Sequence, residues 1–411
     1  METVASLAHW SVIESQLPSD FRALAARFGL LRPMPPHLGA QLEDVGVLLR
    51  MILYRVGTGS SLKVTVATAA AGSVAGISHV ALHKWEKKVG PYLAALGARM
   101  VDAEASFSAD RWAGYEVIAC DATTVQHPGS KGTTARVHYA MRLSDLAPVH
   151  AEATDASGGE TFRRFDPRDG QLWLADRGYC NAPGLAFATA RGAHVIVRLN
   201  RGTLPLFDEA GGPFELMRRL RSMRATGVAR EWKCVARARG SEPVEGRLCA
   251  VRLPRDKAEA ARRRLQREHG AGLDAETLEA AQYVVVFTTV PSERLSAEQV
   301  LELYRLRWQI EIEFKRDKSI GDLDALPNFR ADTIHTWLCA HLILQAIARR
   351  LATATSPFFP GAVARALLEG DVAAGAGGAA RAGREARVAG DDLRVAGAPR
   401  RATAGVHRAV A

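Results

Sequence analysis

The apolar residues of the first hundred positions follow the spacing of amphipathic helices. The pattern is clearest over residues 41–56, where apolar side chains recur at intervals of three and four. No alternating run typical of a strand occurs before residue 105. We therefore expect residues 1–105 to form a helical domain.

Part of this domain has the layout of a helix-turn-helix. A short helix beginning near Ser61 is followed by a glycine-containing turn and by a second helix that begins at Ser78. The second helix carries Lys84, Lys87 and Lys88, whose charges suit the phosphates of DNA. These lysines favour a DNA-binding domain; two packed helices with no role in DNA binding are the alternative.

Near residue 115 the pattern changes to short apolar or alternating runs separated by turn residues. Strands are predicted at 115–120, 138–143, 148–153, 171–175 and 193–199, a first helix at 183–191, and longer helices at 296–320 and 333–351. This order of strands and helices predicts an α/β fold with a mixed sheet. We assign residues 106–199 and 291–355 to one core domain.

Two further segments differ from this core. Residues 200–290 are rich in Arg and Glu, with short β-like runs around a charged helical stretch at 255–269, and we interpret them as an insertion subdomain. Residues 356–411 consist largely of Ala, Gly, Arg and Val. Such a low-complexity tail buries too little apolar surface to offset its ordering entropy, so we expect it to be disordered.

The composition narrows the class of protein. The 411 residues are 47% hydrophobic and 24% charged, as in ordinary globular proteins, and their formal net charge of +10 predicts attraction to polyanions such as DNA. The five cysteines are scattered without zinc-type or disulfide spacing. No signal peptide or apolar run of about 18 residues occurs, so we expect a cytoplasmic protein without a membrane partner.

Two aspartates stand where predicted strands end. Asp121 and Asp176 are each followed by small or turn-forming residues. Strand ends are where an α/β sheet presents functional side chains, although an aspartate there also serves as a cap or turn former. The two positions therefore predict an acidic site only if a further element supplies a partner.

The predicted helix at 296–320 supplies that partner. At about 100° per residue, Tyr304, Arg307, Glu311 and Lys318 fall on one narrow face. Apolar residues flank that face on both sides: Leu303, Leu306, Ile310 and Phe314 on one, Leu301, Trp308 and Ile312 on the other. The geometry predicts that Glu311 faces the sheet and Glu313 faces water. An exposed ion pair between Arg307 and Glu311 is the simpler alternative.

The spacing of these four residues resembles a known signature. The four residues are spaced as Tyr304, two residues, Arg307, three residues, Glu311, six residues, Lys318. This spacing is similar to the Y-(2)-R-(3)-E-(6)-K pattern of bacterial insertion-sequence transposases of the DDE type, the insertion sequence four family. The segments beginning at Asp121 and Asp176 resemble that family's two aspartate motifs. The resemblance spans roughly residues 40–350, and it implies a ribonuclease-H-like catalytic core.

The resemblance also implies a mechanism. The catalytic residues would be Asp121, Asp176 and Glu311. They would hold two Mg²⁺ ions, with Mn²⁺ as a substitute, because converging carboxylates need a cation to stay ionised. Asp121 would bridge the ions. Tyr304, Arg307 and Lys318 would contact the DNA backbone. The implied partners are double-stranded DNA, as terminal inverted repeats and target, and a second copy of the chain in a synaptic homodimer.

Two other functions remain as alternatives. A glycosidase also pairs carboxylates, but it has no need of a basic chain or of Arg307 and Lys318, and it normally works without metal. A transposase-derived DNA-binding protein that no longer transposes is the second, favoured by the unusual tail. The expected activity is cleavage and strand transfer at insertion-sequence ends in the bacterial cytosol or nucleoid.

Overall fold

The computed structural model describes most of the chain before residue 355. The described residues are 10–30, 42, 44–101, 113–126, 132–144, 146–269, 272–319, 323, 326 and 330–354. They belong to the first of two units into which the chain divides, Met1–Pro357, and the second unit is Phe358–Ala411. The tail predicted at 356–411 lies outside the described residues.

The described residues before 102 are helical, as the periodicity predicts. The helices are α1 Trp10–Glu14, α2 Phe21–Arg27, α3 Val45–Thr58, α4 Leu62–Ala71 and α5 His79–Val101. The side chain of Ser61 caps α4 by accepting from the backbone of Val64, which is why the helix begins there. The predicted succession of a helix, a turn and a second helix is therefore present in α4 and α5.

The strands and the remaining helices follow. The strands are β1 Glu116–Val125, β2 Ala135–Arg142, β3 Pro148–Asp155, β4 Gln171–Ala175, β5 His194–Arg198, β6 Leu206–Phe207, β7 Ala229–Ala236, β8 Val244–Arg252 and β9 Tyr283–Thr288. The helices are α6 Ala182–Thr189, α7 Leu216–Ser222, α8 Arg255–His269, α9 Ala275–Ala280, α10 Ala297–Arg305, α11 Trp308–Ser319 and α12 Ala331–Ala354. The α/β class with a mixed sheet is confirmed.

All described strands join one sheet in the order β3-β2-β1-β4-β5-β9-β8-β7-β6. β1, β4 and β5 run parallel to one another, and β2 and β3 extend the sheet from β1 as antiparallel neighbours. This five-strand half is the arrangement expected of a ribonuclease-H-like core. The strands from residues 200–290 continue the same sheet, because β9 pairs antiparallel with β5.

Both faces of the sheet are covered. Helices α6 and α7 pack on one face, against side chains that include Ile118, Cys120 and Ala175. On the other face α10 and α11 pack against Ala119 and Leu174. The N-terminal helices share a third core with α12 and with the β2–β3 end of the sheet.

All five cysteines are buried and none forms a disulfide. Within the described ranges, no helix combines the length and the apolar character needed to cross a membrane.

Candidate active site

The pairing of β1 with β4 brings the two aspartates together. The parallel register places Cys120 opposite Ala175, so Asp121 and Asp176 are the next residues along two neighbouring strands. Adjacent strands lie about 4.8 Å apart, and side chains alternate between the two faces of a sheet. Since Ala119 and Leu174 face α10 and α11, Asp121 and Asp176 project toward those helices as well.

Asp121 lies within β1, and its prediction as the residue that ends the strand was wrong. β1 continues to Val125 because the segment after Asp121, Ala122 to Val125, pairs with Ala135 to His138 of β2. The side chain of Asp121 is 17% exposed, and its Oδ1 accepts a hydrogen bond from the backbone of Ala122 at 2.8 Å. Asp121 is thus the first residue of β1 beyond its pairing with β4.

Helix α10 delivers the first polar side chain to these carboxylates. The helix begins with a capping box, in which the Ser296 hydroxyl accepts from the backbone of Gln299 while the Gln299 side chain accepts from the backbone of Ser296. Tyr304, the second-last residue of α10, is buried, and its hydroxyl lies 3.5 Å from Oδ1 of Asp176.

Arg307 joins two of the three carboxylates. Its Nη1 donates to Oδ2 of Asp121 at 3.0 Å, and its Nη2 donates to Oε1 of Glu311. The arginine side chain is 11% exposed, and its guanidinium lies 5.9 Å from the centre of the Tyr304 ring. Residues separated by more than 180 positions in the sequence therefore meet at one guanidinium.

A single continuous helix over 296–320 was a wrong prediction. Between α10 and α11 the backbone makes bonds of the tighter three-residue type: Arg307 donates to Tyr304 at 3.1 Å and Ile310 donates to Arg307 at 3.1 Å. Three residues per turn advance each side chain by about 120° instead of about 100°, so the face computed for a regular helix rotates past this point.

The tightened turn changes which side chains face water. Trp308, predicted on an apolar flank, is 52% exposed, whereas Ile310 and Phe314 are buried as predicted. Glu311 contacts Arg307, but its side chain is 47% exposed. It therefore lies at the solvent-exposed edge of the site and is not directed fully at the sheet. The side chains of Glu313 and Lys318 lie outside the described part of α11.

Burial controls the protonation of the site. Desolvation raises the pKa of Asp121 to about 6, and the charges of Asp176 and Glu160 act in the same direction, while Arg307 and a backbone hydrogen bond oppose them. Burial likewise raises the pKa of Tyr304 to about 12. The tyrosine is therefore a hydrogen-bond donor at neutral pH, and positive charge beside Asp121, such as that of Arg307, lowers the aspartate's pKa and favours its ionised form.

The donor set suits a hard divalent cation. Asp121, Asp176 and Glu311 offer carboxylate oxygens, the ligands that Mg²⁺ prefers. As the side chains stand, no three His, Cys, Asp or Glu residues in the described ranges are arranged to hold a metal ion. Arg307 explains this, because it occupies oxygens of Asp121 and Glu311 and would have to release one of them to a metal.

The three lysines of the predicted DNA-binding helix lie elsewhere in the fold. All three are on α5, with Lys84 and Lys88 exposed and Lys87 half-buried. The structure places them on the helical N-terminal region, which packs with α12, and not on α10 or α11.

Sequence reasoning missed one acidic residue of this region. Glu160 follows β3 and is 24% exposed, and its charge acts on both Asp121 and Asp176. No strand end or helical spacing marks it, because a loop brings it to the site. The only local signal is the pair Gly158-Gly159, which permits a close turn before it.

Comparison with known proteins agrees with this arrangement. A family described as "Transposase DDE domain" matches residues 112–345. The transposase for insertion sequence element IS421 of Escherichia coli is 31% identical over 345 residues, which cover 82% of this chain and 91% of that protein.

Other relatives carry the same kind of name. The putative transposase InsL for insertion sequence element IS186A of Escherichia coli K12 is 30% identical over 344 residues, with 82% of this chain and 91% of the relative covered. A shorter match, 46% identical over 59 residues, joins 14% of this chain to 12% of the IS231F transposase of Bacillus thuringiensis subsp. israelensis. By the domain match and by the length of these alignments, the chain belongs to the DDE transposases of bacterial insertion sequences, a family of divalent-metal-dependent enzymes whose substrate is DNA.

Proposed function

We propose that this transposase cuts DNA at the ends of its insertion sequence and joins those ends to target DNA, with Asp121, Asp176 and Glu311 as the catalytic residues. The observation that carries the proposal is that Tyr304 contacts Asp176 while Arg307 pairs with both Asp121 and Glu311. These are the acidic residues in the order and spacing of the family's motifs.

The three carboxylates would hold two Mg²⁺ ions, or Mn²⁺ in their place, with Asp121 shared between the ions and Asp176 and Glu311 each completing one site. When bound, such ions would supply Lewis-acid chemistry, activating the attacking oxygen and stabilising the leaving oxygen at phosphorus. The protein supplies the fixed strands that hold Asp121 and Asp176 side by side. Glu311 comes from a separate helix, so the position of α11 relative to the sheet sets the distance between Glu311 and the two aspartates.

The basic and phenolic side chains have roles toward DNA. We assign Arg307, Tyr304 and Lys318 to the DNA backbone beside the scissile phosphate, since guanidinium and ammonium groups are strong donors to phosphate oxygens. Without DNA, Arg307 neutralises Asp121 and Glu311 instead. A phosphate that draws this arginine away would free two carboxylates for the metal at the moment the substrate arrives.

The N-terminal helices supply the remaining DNA contacts in this proposal. Lys84 and Lys88 are exposed on α5, and Lys87 is half-buried beside them, which suits a helix that lies against the terminal inverted repeats. Two copies of the chain would bring two such ends together, as a homodimer in the synaptic complex, at the bacterial nucleoid.

Cleavage of a labelled DNA fragment carrying the element's ends tests the catalytic assignment. We expect cutting by the native chain with Mg²⁺ and none with EDTA. Asp176→Ala should bind the fragment and leave it uncut, whereas Asp166→Ala should cut normally, because Asp166 is exposed and pairs with Arg168 away from the site.

The outcomes separate the proposals. Equal cutting by the native chain and Asp176→Ala would remove Asp176 from the site. A native chain that binds the ends with Mg²⁺ present but never cuts them would instead favour a transposase-derived DNA-binding protein that no longer transposes.

A further inference from the structure

Glu160 touches the turn that carries Asp176. The residues Arg177–Tyr179 form a 3₁₀ turn that begins directly after Asp176, and Gly178 is its central residue. A Cβ atom built on Gly178 would overlap Oε2 of Glu160, so the carboxylate lies directly against the backbone of the turn. Any side chain at position 178 would push Glu160 away, and the glycine therefore makes this contact possible.

Both ends of the contact are anchored. Nη1 of Arg136, on β2, lies 3.3 Å from Oε1 of Glu160 and holds the carboxylate from the sheet. The backbone carbonyl of Glu160 accepts from Nδ2 of Asn181 at 3.4 Å, while Oδ1 of Asn181 accepts from the backbone of Gly184 to cap α6. The loop after β3 is thus hydrogen-bonded to Asn181, which lies just after the Asp176 turn in the chain.

The contact also places a negative charge beside the site. Glu160 is three-quarters buried and interacts electrostatically with Asp176 and Asp121. Removing a carboxylate from water is costly, and Arg136 offsets part of that cost. The charge of Glu160 acts on Asp121 and Asp176, the proposed metal ligands, and negative charge beside them favours a divalent cation.

We propose that Glu160 is a positioning residue for Asp176: its carboxylate fixes the turn 177–179 against the loop after β3 and strengthens the binding of a divalent cation at the site. The inference rests on the proposed role of Asp176 as a metal ligand. Groups that orient a ligand in this way contribute about 10- to 100-fold to metal affinity in proteins.

Mn²⁺ binding to the full chain, measured by calorimetry and by the electron paramagnetic resonance of free Mn²⁺, tests the inference without any need for catalysis. Glu160→Gln keeps the shape and removes the charge, and we expect about a tenfold or greater loss of Mn²⁺ affinity. Thermal unfolding and DNA binding in EDTA should stay close to those of the native chain. Glu160→Asp keeps the charge and should recover part of the lost affinity.

A matched control removes a different carboxylate from the same side of the sheet. Glu152 pairs with Arg164 at 3.0 and 3.1 Å, as Glu160 pairs with Arg136, but Glu152 is on β3, and none of its described contacts reaches the Asp176 turn. We expect Glu152→Gln to bind Mn²⁺ as the native chain does. An equal loss of affinity in both variants would mean that general charge, and not the contact with the turn, is responsible, and the inference would fail.

Asp176→Ala separates this inference from the proposed function. If Asp176→Ala binds Mn²⁺ like the native chain, the proposed metal site itself is wrong. If Asp176→Ala loses Mn²⁺ binding while Glu160→Gln retains it, the metal site stands and the role of Glu160 alone is refuted.

Gly178→Ala tests the contact from its other side. In the native background the new methyl group displaces the carboxylate, so Mn²⁺ affinity should fall by about the same factor as in Glu160→Gln. In a Glu160→Ala background the methyl group meets no carboxylate, and Gly178→Ala should cost little more. Equal losses in the two backgrounds would show that the residues act independently, contrary to the inference.

Discussion

Arg307 is the residue on which the charge balance of the site depends. Its guanidinium donates to Asp121 and Glu311 together while it remains largely buried beside Tyr304. A planar group with several fixed donors can serve two carboxylates, whereas an ammonium group is a single compact charge. The type of cation at this position therefore matters as well as its charge.

Arg307→Lys should accordingly impair cleavage more than it impairs DNA binding. We expect the rate of end cleavage to fall by about tenfold or more, because lysine keeps the charge but lacks the planar set of donors with which Arg307 reaches both carboxylates. The rates come from single-turnover cleavage of labelled ends. Arg305→Lys, at an exposed position two residues earlier, is the control and should cleave normally. Cleavage by Arg307→Lys at the native rate would contradict this assignment.

His138 makes the stability of the protein depend on pH. It is fully buried on β2, where desolvation, aided by Arg164 and Arg136, lowers its pKa to about 4, against the opposing charge of Glu152. Its Nε2 lies 3.2 Å from the Thr154 hydroxyl. The folded protein thus keeps this histidine neutral at a pH where the unfolded chain protonates it.

The sign of the effect follows from that difference. Stability is full above the unfolded pKa near 6.5 and is lost as the pH falls toward 4, with about 2 kcal/mol lost by pH 5 from this group. Urea unfolding of the native chain and His138→Gln at pH 7 and pH 5 measures it. The native chain should lose more stability between the two pH values than the variant, and equal losses would exclude His138 as the cause.

Among the elements, those set by local patterns were predictable and those set by distant contacts were not. Alternation and turn residues located β4 at its observed bounds and β2, β3 and β5 within three residues, whereas β1 extends five residues beyond its predicted end. The turn between α10 and α11 contains no glycine or proline, so composition gives no sign of it. The turn includes Arg307, which pairs with Asp121. Helical periodicity gives no information about a contact between residues so far apart in the sequence.

The site divides along the same line. Strand patterns and motif spacing are properties of the sequence, and from them it predicted five residues that the structure joins by side-chain contacts: Asp121, Asp176, Tyr304, Arg307 and Glu311. Glu160 was not found, because its place beside Gly178 depends on the path of a loop. The exposure of Glu311 was mispredicted for another reason, since the angle of each residue was computed for a helix of constant pitch.

At the start of α10, the capping box predicts a measurable contribution to stability. Ser296→Ala removes the oxygen that accepts from the backbone of Gln299, and such substitutions cost about 1 kcal/mol. Urea unfolding should register this loss. Ser292→Ala is a suitable control, because Ser292 is exposed and bonds only to the neighbouring Glu293 side chain among the described contacts. Unfolding of Ser296→Ala at the native midpoint would mean that the cap is not formed.

For the whole molecule, the net charge of +10 implies that DNA binding weakens steeply with salt. Each lysine that contacts a phosphate contributes about 0.9 to the slope of log affinity against log salt concentration. Lys84→Gln and Lys88→Gln should each lower that slope by about this amount, measured by fluorescence anisotropy on the element's ends. Lys257→Gln on α8, also exposed, should leave the slope unchanged. Identical slopes for all variants would remove α5 from the DNA interface.

The pairing of β9 with β5 joins the strands of residues 200–290 to strands β1, β4 and β5 in one hydrogen-bonded sheet. The hydrogen bonding runs without a break from β7 and β8 through β9 and β5 to β4, whose last residue precedes Asp176. We therefore expect the amides of β7, β8 and β4 to exchange with solvent in one cooperative opening, which hydrogen exchange would measure.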